Sequence, residues 1–150
     1  MARIADVMNL RVVSVTPDAS VQVAIARMLE ENVGSVAVCE GHDLVGIFTE
    51  RDVLRLAGKG EGIGSLEIRD VMTRSPVTVS PDDDALAAAK LMGERRIRHL
   101  PVVQDGHLLG ILGIRDVMRS LVERVWREHD PAARDTAQQL LRRAPGDGTR

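Results

Sequence analysis

The sequence repeats itself. Displaced by 64 residues, it matches its own second half without a gap. Asp6-Val7-Met8 falls on Asp70-Val71-Met72, Pro17-Asp18 on Pro81-Asp82, and Met28 on Met92. Further on, Gly46-Ile47 falls on Gly110-Ile111 and Arg51-Asp52-Val53 on Arg115-Asp116-Val117. From Ile4 to Arg55, 19 of 52 positions are identical to their counterparts, and many others exchange one apolar residue for another. Such a period restricts the fold to two copies of one supersecondary unit. A copy of about 55 residues has a marginal core by itself. The two copies are therefore expected to pack their sheets together about a pseudo-twofold axis.

Each copy reads strand, helix, strand, strand, helix. In the first, Val12 to Thr16 is a short β-rich run ended by Pro17. Ser20 suits a helix N-cap, and Val21, Ala24, Ile25, Met28 and Leu29 follow at helical spacing. Val36 to Cys39 is apolar on both faces, as in a buried strand. Gly41-His42-Asp43 reads as a turn, Leu44 to Thr49 as the return strand, and a second helix starts near Glu50. The second copy repeats this order. Asp84 is its cap, Ala85, Ala88, Ala89 and Met92 share one helix face, and Asp105-Gly106 sits at the hairpin turn. The organisation expected is a first repeat over 1–57, a glycine-rich flexible linker over 58–65, a second repeat over 66–127, and a C-terminal helix and tail over 128–150. Asp130-Pro131 opens that last helix as cap and first-turn proline, and the end from Pro145 is expected to fray.

Composition narrows the function. A net charge of -2 provides no global field for nucleic acid or an anionic membrane, so neither is an expected partner. Phe48 and Trp126 are the only Phe, Tyr or Trp residues, which removes the stacking platforms of most single-strand binders. Cys39 is alone, so neither an intrachain disulfide nor a four-cysteine zinc site is available. Met1 to Val7 carries Arg3 and Asp6 and does not read as a signal peptide, and the apolar run Leu108 to Ile114 is too short to span a bilayer. A soluble, cytoplasmic protein is expected.

The order of elements, the Asp-Val-Met opening, the segment Gly46-Ile47-Phe48-Thr49-Glu50-Arg51-Asp52 and the segment Arg96-Ile97-Arg98-His99-Leu100-Pro101-Val102-Val103 together resemble a pair of CBS domains. The resemblance covers Ile4 to Val122. It implies an α/β (α+β) fold of two tandem β-α-β-β-α repeats that pair as a disc. It also implies adenosine-containing ligands in the clefts between the copies. Some members are free-standing and others are regulatory parts of enzymes and transporters. No part of this sequence is left over for an attached catalytic domain, so a free-standing pair is expected.

Two motifs carry the candidate site. In Thr49-Glu50-Arg51-Asp52 a strand turns into a helix, and the pattern suits a capping box in which Asp52 reaches back to the Thr49 amide. The same geometry suits a ligand, because a helix N-terminus favours phosphate or ribose. The resemblance favours the ligand, with Asp52 on the ribose hydroxyls, Thr49 beside it, and Arg51 in the same motif. The second copy has Gly113-Ile114-Arg115-Asp116. Asp116 and Arg115 are retained, but Gly113 replaces the usual hydroxyl residue, so this cleft is expected to bind more weakly, bind another ligand or stay empty. The other motif is Arg95-Arg96-Ile97-Arg98-His99, whose counterpart Glu31-Asn32-Val33-Gly34-Ser35 has no cation. Arg95 and Arg96 read equally well as a solvated corner. The resemblance turns Arg98 and His99 towards ligand phosphates and sets the backbones of Val33-Gly34 and Ile97-Arg98 near the adenine.

The remaining features read as structural. His42, His107 and His129 lack metal-ligand spacing and read as surface residues, Cys39 reads as a small core hydrophobe, and Asp82-Asp83-Asp84 complements a helix N-terminus. The expected function is a non-enzymatic regulatory module. It binds an adenine nucleotide or S-adenosylmethionine (the AMP, ADP, ATP, NAD or S-adenosylmethionine class), requires no cofactor, and acts on an unidentified partner protein. The alternatives are a ligand-free dimeric interaction module and a nucleotide-cleaving enzyme. Val53, Leu54, Val117, Met118, Leu121, Val122 and Val125 exceed what one small sheet face needs, which points to a homodimer. One dominant site per chain is expected, combining Asp52 with Arg98 and His99.

Overall fold

The computed structural model describes residues 2–60, 62–129 and 131–143. The first repeat contains α1 (Ile4–Val7), β1 (Ser14–Val15), α2 (Val21–Glu31), β2 (Ser35–Glu40), β3 (Asp43–Thr49) and α3 (Glu50–Gly58). A 3-10 turn at Ile63–Ser65 leads into the second: α4 (Ile68–Val71), β4 (Thr73–Arg74), α5 (Ala85–Arg95), β5 (His99–Gln104), β6 (His107–Gly113) and α6 (Ile114–His129). α7 (Pro131–Arg143) follows. The chain forms two compact units, Met1–Val117 and Met118–Arg150.

Local chemistry explains the elements of the first unit. Ser20 Oγ accepts the Val23 amide at 3.1 Å, and Asp84 Oδ1 accepts the Ala87 amide at 2.9 Å, so both caps form where the sequence puts them. The faces Val21, Ala24, Met28 and Ala85, Ala88, Met92 are buried. Both helices end on a left-handed residue, Asn32 (φ 52°) and Arg96 (φ 54°). Asparagine tolerates this conformation, whereas for arginine it is a strained choice. The two hairpins match in detail, with the same register shift at Val38/Cys39 and at Val102/Val103. The Asp105-Gly106 turn has both residues at positive φ, as a tight hairpin requires. The hairpins do not pack as two separate sheets. They join into one six-stranded sheet of order β1-β2-β3-β6-β5, with β4 on β3. The seam between β3 and β6 is the single pair Asp43↔His107, beside which the His42 and His107 rings meet edge to face at 6.2 Å.

The opening segment of each repeat packs with the other repeat. Ile4 N donates to Asp83 O and Ala5 N to Pro81 O, each at 2.9 Å. In the reciprocal contact Ile68 N donates to Ala19 O and Arg69 N to Pro17 O, also at 2.9 Å. Ile4 and Ile68 are fully buried, and Ile68 lies in the cluster of Val13, Val15, Val21, Met28, Val36, Val38, Phe48 and Leu56 from the first repeat. Two glycines admit the exchanged segments. A methyl group on Gly110 would stand 2.7 Å from Asn9 O, and one on Gly46 would stand 2.5 Å from Met72 Sδ and 2.9 Å from Thr73 O.

The apolar surplus expected on the last helices is smaller than the sequence suggests. Val117 is buried and Val53 packs against the first-repeat core, so both serve the fold. Leu54 on α3 is exposed. In the second unit Met118, Val122, Val125 and Trp126 on α6 are exposed, and their i, i+4, i+7, i+8 spacing sets them on one helix face. Asp130, the side chain of His129 and the tail from Pro145 lie outside the described residues.

Gly110→Ala should destabilise the protein by about 1–3 kcal/mol, because the opposing Asn9 carbonyl is backbone and yields little. Gly93→Ala, in open space on α5, should stabilise it by about 0.5–1 kcal/mol. Urea unfolding measures both, and equal shifts of one sign would contradict this account.

Candidate functional site

The two helix N-termini that carry the motifs are built alike. Glu50 N, the first amide of α3, donates to Gly34 O at 3.0 Å, and Ile114 N, the first of α6, donates to Arg98 O at 2.9 Å. Each bond ties a β-strand entrance to the helix start of the same repeat. Asp52 Oδ2 accepts the Thr49 amide at 2.8 Å and the Thr49 hydroxyl at 3.2 Å. In the second copy Asp116 Oδ2 accepts the Gly113 amide at 3.1 Å, and Gly113 has no hydroxyl to offer. The bond from the helix-start amide to the aspartate is thus formed in both copies, and only the first adds a threonine hydroxyl to it. Arg55 lies 3.8 Å from the other oxygen of Asp52.

The repeats then cross. Arg51 Nη1 donates to Arg96 O at 2.7 Å, which brings the first copy's helix start to the second copy's basic corner. The ring of His99 completes the approach. A methyl group at Gly34 would stand 2.7 Å from Glu50 Oε1 and 3.1–3.2 Å from His99 Cε1 and Nε2. One at Gly113 would stand 3.1 Å from Asp116 Oδ2 and 3.8 Å from His99 Cδ2. His99 therefore lies between a carboxylate of each repeat, and the missing side chain at Gly34 makes room for the contact. Val33, Ile97, Thr49, Asp52, His99 and Asp116 are half-buried, while Arg51, Arg98 and Arg115 are exposed.

The structure thus gathers Gly34, His99, Gly113 and Asp116, and separately joins Arg51 to the corner that holds Ile97 and Arg98. Among the described residues no hydrogen bond or ion pair joins Asp52 to Arg98 or His99. Glu50 is the member that sequence reasoning passed over. Its only signal was its place at the first position of α3, which capping alone accounts for. A groove of about 420 Å³ bordered by Pro17, Leu44, Arg69, Met72 and Arg74 contains none of these residues.

Burial pushes the His99 imidazole below the usual histidine range. Glu50 and Asp116 oppose that shift, and Arg115 and Arg98 reinforce it. The Cys39 thiol is pushed up by burial, which suits a packing role over a reactive one.

Two βαββα repeats with exchanged openings and similarly built helix N-termini define a tandem module in which residues of the two copies meet across the repeat boundary. The chain belongs to the CBS-domain family: the family's model, described as CBS domain, matches residues 4–59 and 68–123. Among its relatives, the mitochondrial CBS domain-containing protein CBSX3 of Arabidopsis thaliana is 39% identical over 113 residues, spanning 71% of this chain and 55% of that protein. The chain thus spans about half the length of that relative. Among solved structures, the CBS domain protein NE2398 has a TM-score of 0.76 at 31% identity, covering 81% of this chain and 99% of that one. CBSX2, solved in complex with AMP, has a TM-score of 0.71 at 30% identity, covering 81% and 96%. The CBS pair of MJ0100, solved with 5'-methylthioadenosine and S-adenosylmethionine, shares the fold at a TM-score of 0.75 and 22% identity, covering 82% and 98%. No described helix is long and apolar enough to cross a membrane.

The lowered His99 sets a pH dependence of the free protein. The folded state takes up a proton at His99 less readily than the unfolded chain, which protonates it near the ordinary value of about 6.5. The stability tied to this residue is present above that value and is lost as pH falls towards the lowered folded-state value. Between about pH 8 and about pH 5.5, wild type should lose more stability in urea than His99→Gln. An equal loss would show that His99 does not titrate differently in the two states.

Proposed function

We propose that this chain is a regulatory module that binds an adenosine-containing ligand across its two repeats and reports occupancy to a partner protein, without catalysis of its own. The observation that carries the reading is the crossing of the repeats: Arg51 bonds the Arg96 carbonyl, and His99 reaches Gly34 and Glu50. Residues of both copies therefore border one site. The AMP complex of the related CBSX2 supports an adenine nucleotide as the ligand class.

In this reading Thr49 and Asp52 hold the ribose, and the backbones of Val33, Gly34 and Ile97 border the adenine. Arg98 and His99 meet the phosphates, with Arg51 and Arg115 supplying further positive charge. A ribose hydroxyl pair replaces the Thr49 bonds that Asp52 makes in the free protein. The Gly113–Asp116 cleft, one hydroxyl short, is the weaker site. The exposed α6 face of Met118, Val122, Val125 and Trp126 supports a homodimer. The regulated protein is a separate polypeptide or a further part of a longer one.

A thermal-shift series with AMP, ADP, ATP, NAD and S-adenosylmethionine tests the class, because a ligand of the folded state alone raises the melting temperature. No shift with any of them would leave the ligand-free interaction module in its place. In calorimetry Asp52→Ala should weaken any adenosine ligand by ten- to a hundredfold, following the roughly 1.5–3 kcal/mol of a charged hydrogen bond. Asp116→Ala should cost less, and the reverse order would move the working site to the second cleft. Arg98→Ala should weaken ADP and ATP more than adenosine, by a margin that shrinks with salt. Sedimentation at micromolar concentration should give twice 16.3 kDa, and a clean monomer would remove the dimer.

A further inference from the structure

We propose that His99 makes this site respond to phosphorylated adenosines by means of a proton, against the opposing charge of Glu50: a ligand bearing phosphate draws one proton onto His99 as it binds, and adenosine does not. The inference rests on the adenosine reading above and concerns the regulation of that same site.

Charges of both signs surround the imidazole. Glu50 approaches it from α3 across the repeat boundary, meeting it at Gly34. Asp116 approaches from α6, meeting it at Gly113. Arg115 on α6 and Arg98, the residue before β5, act on it with the opposite sign; both are exposed, as is Glu50. The Gly34 and Gly113 positions bring only backbone to the ring. With His99 neutral, as its burial favours, a phosphate placed beside it faces two carboxylates and is offered a single N–H donor. With His99 protonated, the ring offers two donors and a charge that offsets the nearer carboxylate. The phosphate and the proton therefore stabilise each other. An unphosphorylated adenosine supplies no such partner, so its binding leaves the protonation of His99 unchanged.

The device occurs once in the chain. Glu50 is replaced in the second copy by Ile114, and His99 in the first copy by Ser35. The symmetric counterpart of this cluster therefore has neither the acid nor the base. At the helix start the asymmetry sits directly beside Arg51-Asp52-Val53 and Arg115-Asp116-Val117, which the two copies share.

Calorimetry of the full chain with AMP and with adenosine, in Pipes and in Tris near pH 7.5, counts the protons exchanged, because the two buffers differ in ionisation enthalpy. AMP should bind with net uptake approaching one proton per chain, and adenosine with none. AMP affinity should rise by up to about tenfold per pH unit as pH falls from about 8.5 to about 6.5, the range above the phosphate's own ionisation. AMP that sheds its own proton on binding would give release, the opposite sign. His99→Gln should abolish the uptake and flatten the pH profile. Glu50→Gln should tighten AMP severalfold at about pH 8, and an unchanged or weaker affinity would overturn the part given to Glu50. AMP binding with no proton uptake in wild type overturns the inference while leaving the adenosine reading intact. Failure of both ligands to bind overturns the two together.

Discussion

The burial of Ile4 and Ile68 in each other's repeats is the constraint on which the rest of the structure depends. Each repeat alone lacks one wall of its core, and the other repeat supplies it. Burying an isoleucine side chain is worth about 1.5–3 kcal/mol, a large part of what a 55-residue unit has to spare. Neither repeat is therefore expected to be stable by itself. The four backbone bonds at Pro17, Ala19, Pro81 and Asp83 fix the exchanged segments at the loops that lead into α2 and α5. Gly46 and Gly110 then set how closely those segments lie on the return strands.

The site inherits its form from this lock. Once the openings are exchanged, the two hairpins share one sheet, and the entrances of β2 and β5 lie near each other's helix starts. Arg51 and Arg96 come into contact, although 45 residues separate them in the sequence. The contacts at Gly34 combine a glycine from one copy with a histidine from the other. A site of mixed parentage has an intrinsic readout. Whatever binds there holds two repeats at once, and any change in the repeat angle changes the site. The same contact explains why the cluster is asymmetric although the backbone is nearly symmetric: a twofold axis makes positions equivalent, not residues.

Much of the architecture was legible in the sequence because it is written in local chemistry. The caps at Ser20 and Asp84, the apolar faces of α2 and α5, and the Asp105-Gly106 turn follow from residues within a few positions of one another. The internal repeat also gave the register of one hairpin from the other. What stayed illegible is non-local. The exchange of openings is made by backbone amides and carbonyls, which every residue has, so only the buried Ile4 and Ile68 marked it. The proximity of Glu50 and His99 depends on the fold of both repeats and leaves no trace in spacing. The left-handed Arg96 was hidden for another reason, since arginine rarely adopts that conformation and its counterpart Asn32 was the only hint. The surplus of apolar residues on α3 and α6 was overcounted because Val53 and Val117 serve the core beneath them.

The exchanged openings have one more consequence, for assembly. A contact made by one repeat with another is indifferent to whether the same chain supplies both. What confines the exchange to one molecule is the short connection between Gly58, the end of α3, and Ile63, where the next turn begins. That connection keeps the second opening at a high effective concentration beside the first repeat. The monomer is in this sense a closed form of a domain-swapped pair. Shortening those few linker residues until they cannot span the gap would favour the open form, in which two chains complete each other's repeats through the same hydrogen bonds.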